Sequence, residues 1–258
     1  MINSTYFYTK EFQQAMEVSK FNDPISLTEV NNIGEQIGLL TGIIQDESLG
    51  KFPLLGRRSI VRGVPIVEEN NPEIIRNLLT KYLRLVKGKA ILSQFRNSYD
   101  MTFCKHIFEE FGFIYEDHLN FLFDLSLGVD RLWNNLDKIA KKNITRAYKK
   151  GTTVELTTNL VEVLLAYDIV DGLYKKLKLP LISKEIVLKL FEFATKSEGL
   201  QVFIAKNEDI IIGTRMVLLY KGNVYDYYAG SLEEYYNKYP NDLLPWEVIK
   251  WGAENGMR

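Results

Sequence analysis

The sequence predicts an α/β (α+β) chain of two units in tandem, residues 1–128 and 129–258, each a mixed, mostly antiparallel sheet flanked by helices. Three observations predict it. Runs rich in β-branched residues are interleaved with runs whose apolar residues recur every three or four positions. Paired strands followed by a short helix ending in glycine occur twice, in FCKHIFEEFGF and in WEVIKWGAENGM. The 258 residues, 46% hydrophobic and 25% charged, have the make-up of packed protein and the length for two cores.

Residues 37–47 and 59–69 are rich in Ile and Val and are separated by a Gly- and Pro-containing loop, so they read as two strands. Residues 72–88 place Ile74, Ile75, Leu78, Leu79, Tyr82 and Leu85 on one helical face, and Gly88 stops the helix. A strand over 90–99, a helix over 102–112 closed by Gly112 and a long strand over 113–126 complete the first unit.

The second unit opens with a helix over 132–151 whose Leu132, Leu136, Ile139, Ile144 and Ala147 face inward. A strand at 152–158 and two helices broken by Pro180 come next, then three strands over 200–208, 210–222 and 223–231. Their polar turns, NED and KGN, favour antiparallel hairpins. A Tyr- and Asn-rich loop leads to a last helix that starts at Asn241 or Asp242, ahead of Pro245. After Gly112 the first unit runs into a strand, whereas the second reaches Arg258 soon after Gly256, so the repeat predicts that a strand is missing from this chain.

The 32 basic and 33 acidic side chains leave a net charge of -1, which argues against a dedicated nucleic-acid binder. An anionic partner must be met by a local patch. One cysteine, Cys104, excludes an internal disulfide, and the first residues lack a signal-peptide pattern, so the expected compartment is the cytoplasm. No apolar run approaches the ~18 residues that cross a bilayer, so no integral membrane contact is expected.

Two constellations carry possible chemistry. Between 138 and 150, Lys138, Lys141, Lys142, Arg146, Lys149 and Lys150 occur without an acidic residue. Lys138, Lys142, Arg146 and Lys149 form a ridge opposite the apolar stripe, suited to a phosphate-bearing substrate. The same cations could instead complement the helix dipole. The second constellation, residues 224–251, delivers a strand end, a loop and a helix N-terminus, which is a natural place for an anion. Tyr225, Tyr227 and Tyr228 alternate across the sheet, so at least one faces a groove unless the aromatics only pack.

Cys104 and His106 lie two apart on a helix and do not face each other, which predicts a buried thiol and neither a dyad nor a metal pair. His118 and Asp117 are neighbours on a strand and point to opposite faces, so His118 is assigned no catalytic role. The chain has no GxxxxGK[ST], GxGxxG, HExxH or GxSxG motif.

The two constellations, in this order and about 80 residues apart, resemble the FemAB-like branch of the GNAT (N-acetyltransferase) superfamily, the peptidoglycan interpeptide-bridge enzymes and polysaccharide-associated acyltransferases. Residues 111–155 resemble that branch's GF strand and helix with an N-x-x-R-A-x-K-x-G core. Here the core is Asn143, Arg146, Ala147, Lys149 and, one position late, Gly151. Asp226, Tyr228, Ser231, Leu244, Trp246 and Glu247 fall on the second signature, an aromatic strand followed by an L-L-x-W-E helix. The resemblance implies tandem GNAT-like domains that hold an acceptor in the groove between them. It implies transfer of an acyl or aminoacyl group to an amine or hydroxyl of a cell-wall or surface-polysaccharide precursor. The family's closing strand and its long tRNA-contacting helical arm have no counterpart here.

On this reading Lys142, Asn143, Arg146 and Lys149 bind the anionic groups of an acceptor such as a nucleotide-linked sugar or peptidoglycan precursor. Tyr228, Ser231 and Trp246 position substrate, and Asp226 and Glu247 are the candidate catalytic bases. The donor is acetyl-CoA, another acyl-CoA or aminoacyl-tRNA, with no tightly bound cofactor. A CoA pyrophosphate is normally wrapped by a glycine-rich loop ahead of a helix. That place holds SLEEYYNKYPND, without glycine and with Glu233 and Glu234, and GRRSIVRG (56–63) does not match the pattern either. The alternative is a GNAT-fold binding or scaffold protein that has lost donor binding.

Overall fold

The computed structural model describes residues 5–46 and 56–258. They fall into two compact units, Met1–Phe121 and Leu122–Arg258.

In the first unit, α1 (Lys10–Glu17) is capped by Thr9, whose hydroxyl accepts the Phe12 amide, and buries Phe12, Ala15 and Met16. β1 (Asn22–Val30) and β2 (Gln36–Asp46) form an antiparallel hairpin. Neither α1 nor β1 is evident from the sequence pattern. β3 (Arg57–Val61) continues the sheet antiparallel to β2, and the two-residue β4 (Ile66–Val67) also pairs with β2. The single strand expected over 59–69 is therefore two strands broken around Gly63, and the loop expected before it lies mostly outside the described residues.

α2 (Pro72–Val86) starts with Asn71 accepting the Glu73 amide and Pro72 in the first turn, where a missing N–H costs nothing. It crosses over so that β5 (Leu92–Phe95) runs parallel to β3, in the order β1-β2-β3-β5. Ile75, Leu78, Leu79, Tyr82 and Val86 of α2 are buried against Ile25, Leu40, Ile44 and Val61 of the sheet. The Tyr82 hydroxyl donates to Ser59 Oγ at 2.7 Å, which satisfies both groups inside the core. α3 (Thr102–Glu110) buries Cys104, Ile107 and Phe108, and Phe95, Phe108 and Phe113 meet edge to face. The expected strand over 113–126 does not form: residues 113–124 run without helix, turn or ladder partner.

In the second unit the helix expected over 132–151 is two helices, α4 (Val129–Asn135) and α5 (Lys138–Lys149). Asp137 divides them, because its carboxylate accepts the amides of Ile139 and Ala140 at 2.7 and 2.8 Å and starts a new helix. The break rotates the stripe: Leu132, Ile144 and Ala147 are buried, while Ile139 is 72% exposed. β6 (Thr152–Thr157), α6 (Leu160–Leu177), α7 (Lys184–Glu192), β7 (Gly199–Asn207), β8 (Ile210–Tyr220), β9 (Asn223–Ser231) and α8 (Pro240–Glu254) follow.

The four strands are antiparallel in the order β6-β7-β8-β9. α8 covers one face, with Leu244 and Val248 against Phe203, Ala205, Ile212, Val217 and Leu219. α6 closes on the other face at Gly230, where a Cβ would sit 3.3 Å from the Val170 Cα. α8 begins earlier than expected: Tyr239, at φ 60°, precedes Pro240, and Pro245 lies inside the helix.

Candidate functional site

α5 and α8 pack side by side and share the residues singled out in the sequence. The side of α5 turned toward α8 carries Asn143, Arg146 and Tyr148. Asn143 Nδ2 donates to Asp242 Oδ1 at 3.0 Å, in the first turn of α8. The Arg146 guanidinium donates to the Tyr239 hydroxyl at 3.4 Å and lies 5.8 Å from that ring, and Lys150 approaches the same ring at 5.5 Å. Further along both helices, beyond the Asn143–Asp242 bond, the Tyr148 hydroxyl donates to Glu247 Oε1. Burial first and the bond to Glu247 second raise the Tyr148 hydroxyl well above the usual phenol value, so it stays protonated and able to donate. The Glu247 side chain is 18% exposed, with Lys250 Nζ at 3.8 Å.

Lys138, Lys142, Arg146 and Lys149 are all exposed. Arg146 and Lys149 sit in the last turn, where the helix dipole also favours cations. Their exposure leaves them open to an anion at little desolvation cost.

Asp226 takes a different position. Both its oxygens are held by Arg215, at 2.9 and 2.5 Å, so accepting a proton would break a bidentate pair. Ser231 is buried, donates to Asn241 Oδ1 at 2.7 Å and faces Gly213, where a Cβ would come within 2.5 Å of its hydroxyl. Trp246 is 5% exposed and meets Trp133 edge to face, so it is a core residue. The expected alternation of the tyrosines fails. A β-bulge puts Tyr228 opposite Met216 and Asp226 opposite Val217, leaving Tyr227 as the extra residue. The Tyr227 and Tyr228 rings consequently touch at 4.4 Å, and Tyr228 meets Tyr174 of α6 at 5.5 Å.

The connection between β9 and α8 does not fit a pyrophosphate. Glu233 and Glu234 are exposed there, Asp242 stands in the first helical turn, and Lys176 is paired with Glu233. Cys104 is 1% exposed, and burial pushes its thiol up to about 11, so it is no nucleophile at neutral pH. Among the described residues no cluster of three metal-ligating side chains occurs.

The first unit holds a feature that sequence reasoning missed. A cavity of about 100 Å³ opens where the parallel pair β3 and β5 ends, lined by Thr5, Tyr8, Arg62, Gly63, Arg96 and Ser98 among others. The carboxyl ends of neighbouring parallel strands are the usual place for a ligand in α/β sheets. Gly63, at φ 134°, is required there, since a Cβ would lie 2.7 Å from the Tyr8 hydroxyl, which donates to Val64 O at 2.5 Å. Thr5 Oγ1 is buried with no hydrogen-bond partner among the described residues. The only sequence signal was the arginine-rich run ending in Arg62 and Gly63.

Residues 138–258 match the family described as "Acetyltransferase (GNAT) domain". Among solved structures, FemX is similar over 99% of this chain and 82% of its own, with a TM-score of 0.68 and 14% identity. A C-terminal domain assigned to a lysylphosphatidylglycerol synthetase from Agrobacterium fabrum is similar over 90% of this chain and 69% of its own, with a TM-score of 0.53 and 13% identity. No curated protein sequence matches the chain. The chain therefore has the mixed α/β fold of FemX, with a GNAT acetyltransferase domain matched over residues 138–258, and no helix among the described residues is long and apolar enough to cross a membrane.

Proposed function

From a chain that resembles the FemAB-like branch of the GNAT superfamily and carries a GNAT acetyltransferase domain over residues 138–258, we propose an acyltransferase acting in the cytoplasm. It delivers an acyl or aminoacyl group to an amine or hydroxyl of a cell-wall or surface-polysaccharide precursor. The observation that carries this reading is the seam between α5 and α8, where Glu247 and Tyr148 form a hydrogen-bonded acid–phenol pair beside an exposed row of cations.

Acyl transfer to an amine needs a proton acceptor near the nucleophile and an anchor that holds the acceptor. Glu247 is the proton acceptor in this reading, with Tyr148 holding its carboxylate in place. Lys142, Arg146 and Lys149 bind phosphates or carboxylates of a nucleotide-linked precursor, and Asn143 fixes Asp242. Tyr228, paired with Tyr174 and Tyr227, offers a flat aromatic surface to the substrate. Asp226, bound to Arg215, is the weaker candidate base, and Ser231 and Trp246 act by shaping the strand end and the root of α8.

The acidic β9–α8 connection disfavours a CoA donor held in the ordinary way, and the donor is either an acyl-CoA bound elsewhere or aminoacyl-tRNA. The same connection favours the second reading, a non-catalytic GNAT-fold binding protein. The test is a transfer assay with a nucleotide-linked sugar peptide as acceptor and labelled acetyl-CoA or aminoacyl-tRNA as donor. Transfer lost in Glu247→Gln supports the proposal. Acceptor binding without transfer from either donor supports the binding protein, and a folded protein that does neither refutes both.

A further inference from the structure

Residues 113–124, most of the strand expected over 113–126, form no ladder. The segment is tethered at three side chains: Phe113 packs on Phe95 and Phe108, Lys105 lies 4.4 Å over the Tyr115 ring, and Asn120 Nδ2 donates to Ser98 O at 2.9 Å. The remainder exposes a period-two stripe, with Leu119 96%, Phe121 82% and Phe123 53% exposed, and Leu122 on the alternate side is 74% exposed. A stripe of this kind beside unpaired backbone is a template for another strand.

We propose that residues 118–124 pair with the same residues of a second copy of this chain, antiparallel and centred on Phe121. A two-fold axis through such a ladder keeps each residue on its own face, so the axis must pass through a residue. With Phe121 on the axis, Leu119 faces Phe123 of the second copy, so the apolar stripe meets itself. On the other face His118 stands opposite Asp124, an oppositely charged pair whenever the imidazole is protonated. Neighbouring registers fail. An axis at Asn120 sets Glu116 against Asp124 and Asp117 against Phe123, and an axis at Leu122 calls on Leu125, which is already buried. The ladder sets Leu119 beside Phe123 and Phe121 beside its own copy, so apolar side-chain contact along one face adds to the backbone hydrogen bonds.

The test is the solution mass of the full chain by light scattering from about 1 to 100 μM, a range that brackets micromolar affinities. A species of twice the chain mass is expected, and Phe121→Lys, at an exposed position, should weaken it at least about tenfold with unchanged circular dichroism. Phe121→Cys should cross-link two copies by a disulfide on the axis, whereas Ile114→Cys, equally exposed but outside the ladder, should not. A monomer throughout that range overturns the proposal. So does a dimer indifferent to Phe121→Lys, or equal cross-linking by both cysteine variants.

Discussion

Replacing Arg146 by alanine separates an anion-binding ridge from a structural one. Arg146 is exposed and makes one long hydrogen bond, 3.4 Å to the Tyr239 hydroxyl, and one distant ring contact at 5.8 Å. An exposed cation–π contact contributes about 0.5–1 kcal/mol, and a hydrogen bond of that length adds little. The expected loss of stability is under about 1 kcal/mol, or roughly 2–4 °C in melting temperature for a protein of this size. Against an anionic acceptor the same guanidinium supplies a charge-assisted bond of about 1.5–3 kcal/mol, so affinity should fall roughly 10- to 150-fold. Calorimetric titration with a nucleotide diphosphate sugar, run beside a thermal melt, reads both quantities. Ile144→Ala on the buried side of α5 is the control, expected to cost about 2–5 kcal/mol. An Arg146→Ala protein that melts like Ile144→Ala and binds the ligand as before would refute the ridge as an anion site.

Three further outcomes are expected. Glu247→Gln should lower kcat by about 100-fold or more in the transfer assay while circular dichroism stays unchanged, whereas Asp226→Asn, which breaks an exposed pair, should cost under about 1 kcal/mol of stability; equal loss of transfer in both variants would leave Glu247 without a special role. Gly213→Ala should destabilise by about 1–3 kcal/mol in urea melts, because its Cβ meets the Ser231 hydroxyl, and Ser231→Ala should recover part of that. Lys206 Nζ holds Glu155 at 2.5 Å and Glu162 at 2.7 Å, and that bond, ahead of one from Thr157, lowers the Glu162 carboxyl, while the two carboxylates raise the Lys206 ammonium. The stabilisation from Glu162 is present above the ordinary carboxylate range and fades as pH falls through its lowered value; that from Lys206 is full below the ordinary lysine range and fades as pH rises through its raised value. Lys206→Met should therefore cost roughly 1–3 kcal/mol near pH 7 and progressively less toward pH 3, and a gap that does not narrow would contradict the network.

The order of elements was legible wherever one face of an element is buried and the other is wet. The stripe of α2 was readable because Ile75, Leu78, Leu79 and Tyr82 all turn to the sheet, and the hairpins of β7, β8 and β9 because polar turns separate Val- and Ile-rich runs. Periodicity could not find the break at Asp137, since Leu136 and Ile139 continue the apolar spacing across it. The signal lay in capping chemistry, an aspartate whose side chain takes two amides. The bulge in β9 was equally hidden, because nothing in VYDYYAGS marks Tyr227 as the extra residue, and that one residue decides which tyrosines share a face.

Residue type and spacing singled out the cations of α5, and the family resemblance the carboxylate of α8, but partners decide what each can do. Asp226 and Glu247 are indistinguishable as letters. One is closed by a guanidinium on a neighbouring strand and the other faces a protonated phenol in the last turn of α5. The cavity at the ends of β3 and β5 draws on three separate stretches of the first unit, around Tyr8, Arg62 and Arg96, so no local motif could announce it. What brings them together is the parallel pairing across α2, a long-range consequence of burying that helix's apolar face. The site-forming information in this chain therefore lies mainly in which helix each strand must cover, and only secondarily in the functional residues themselves.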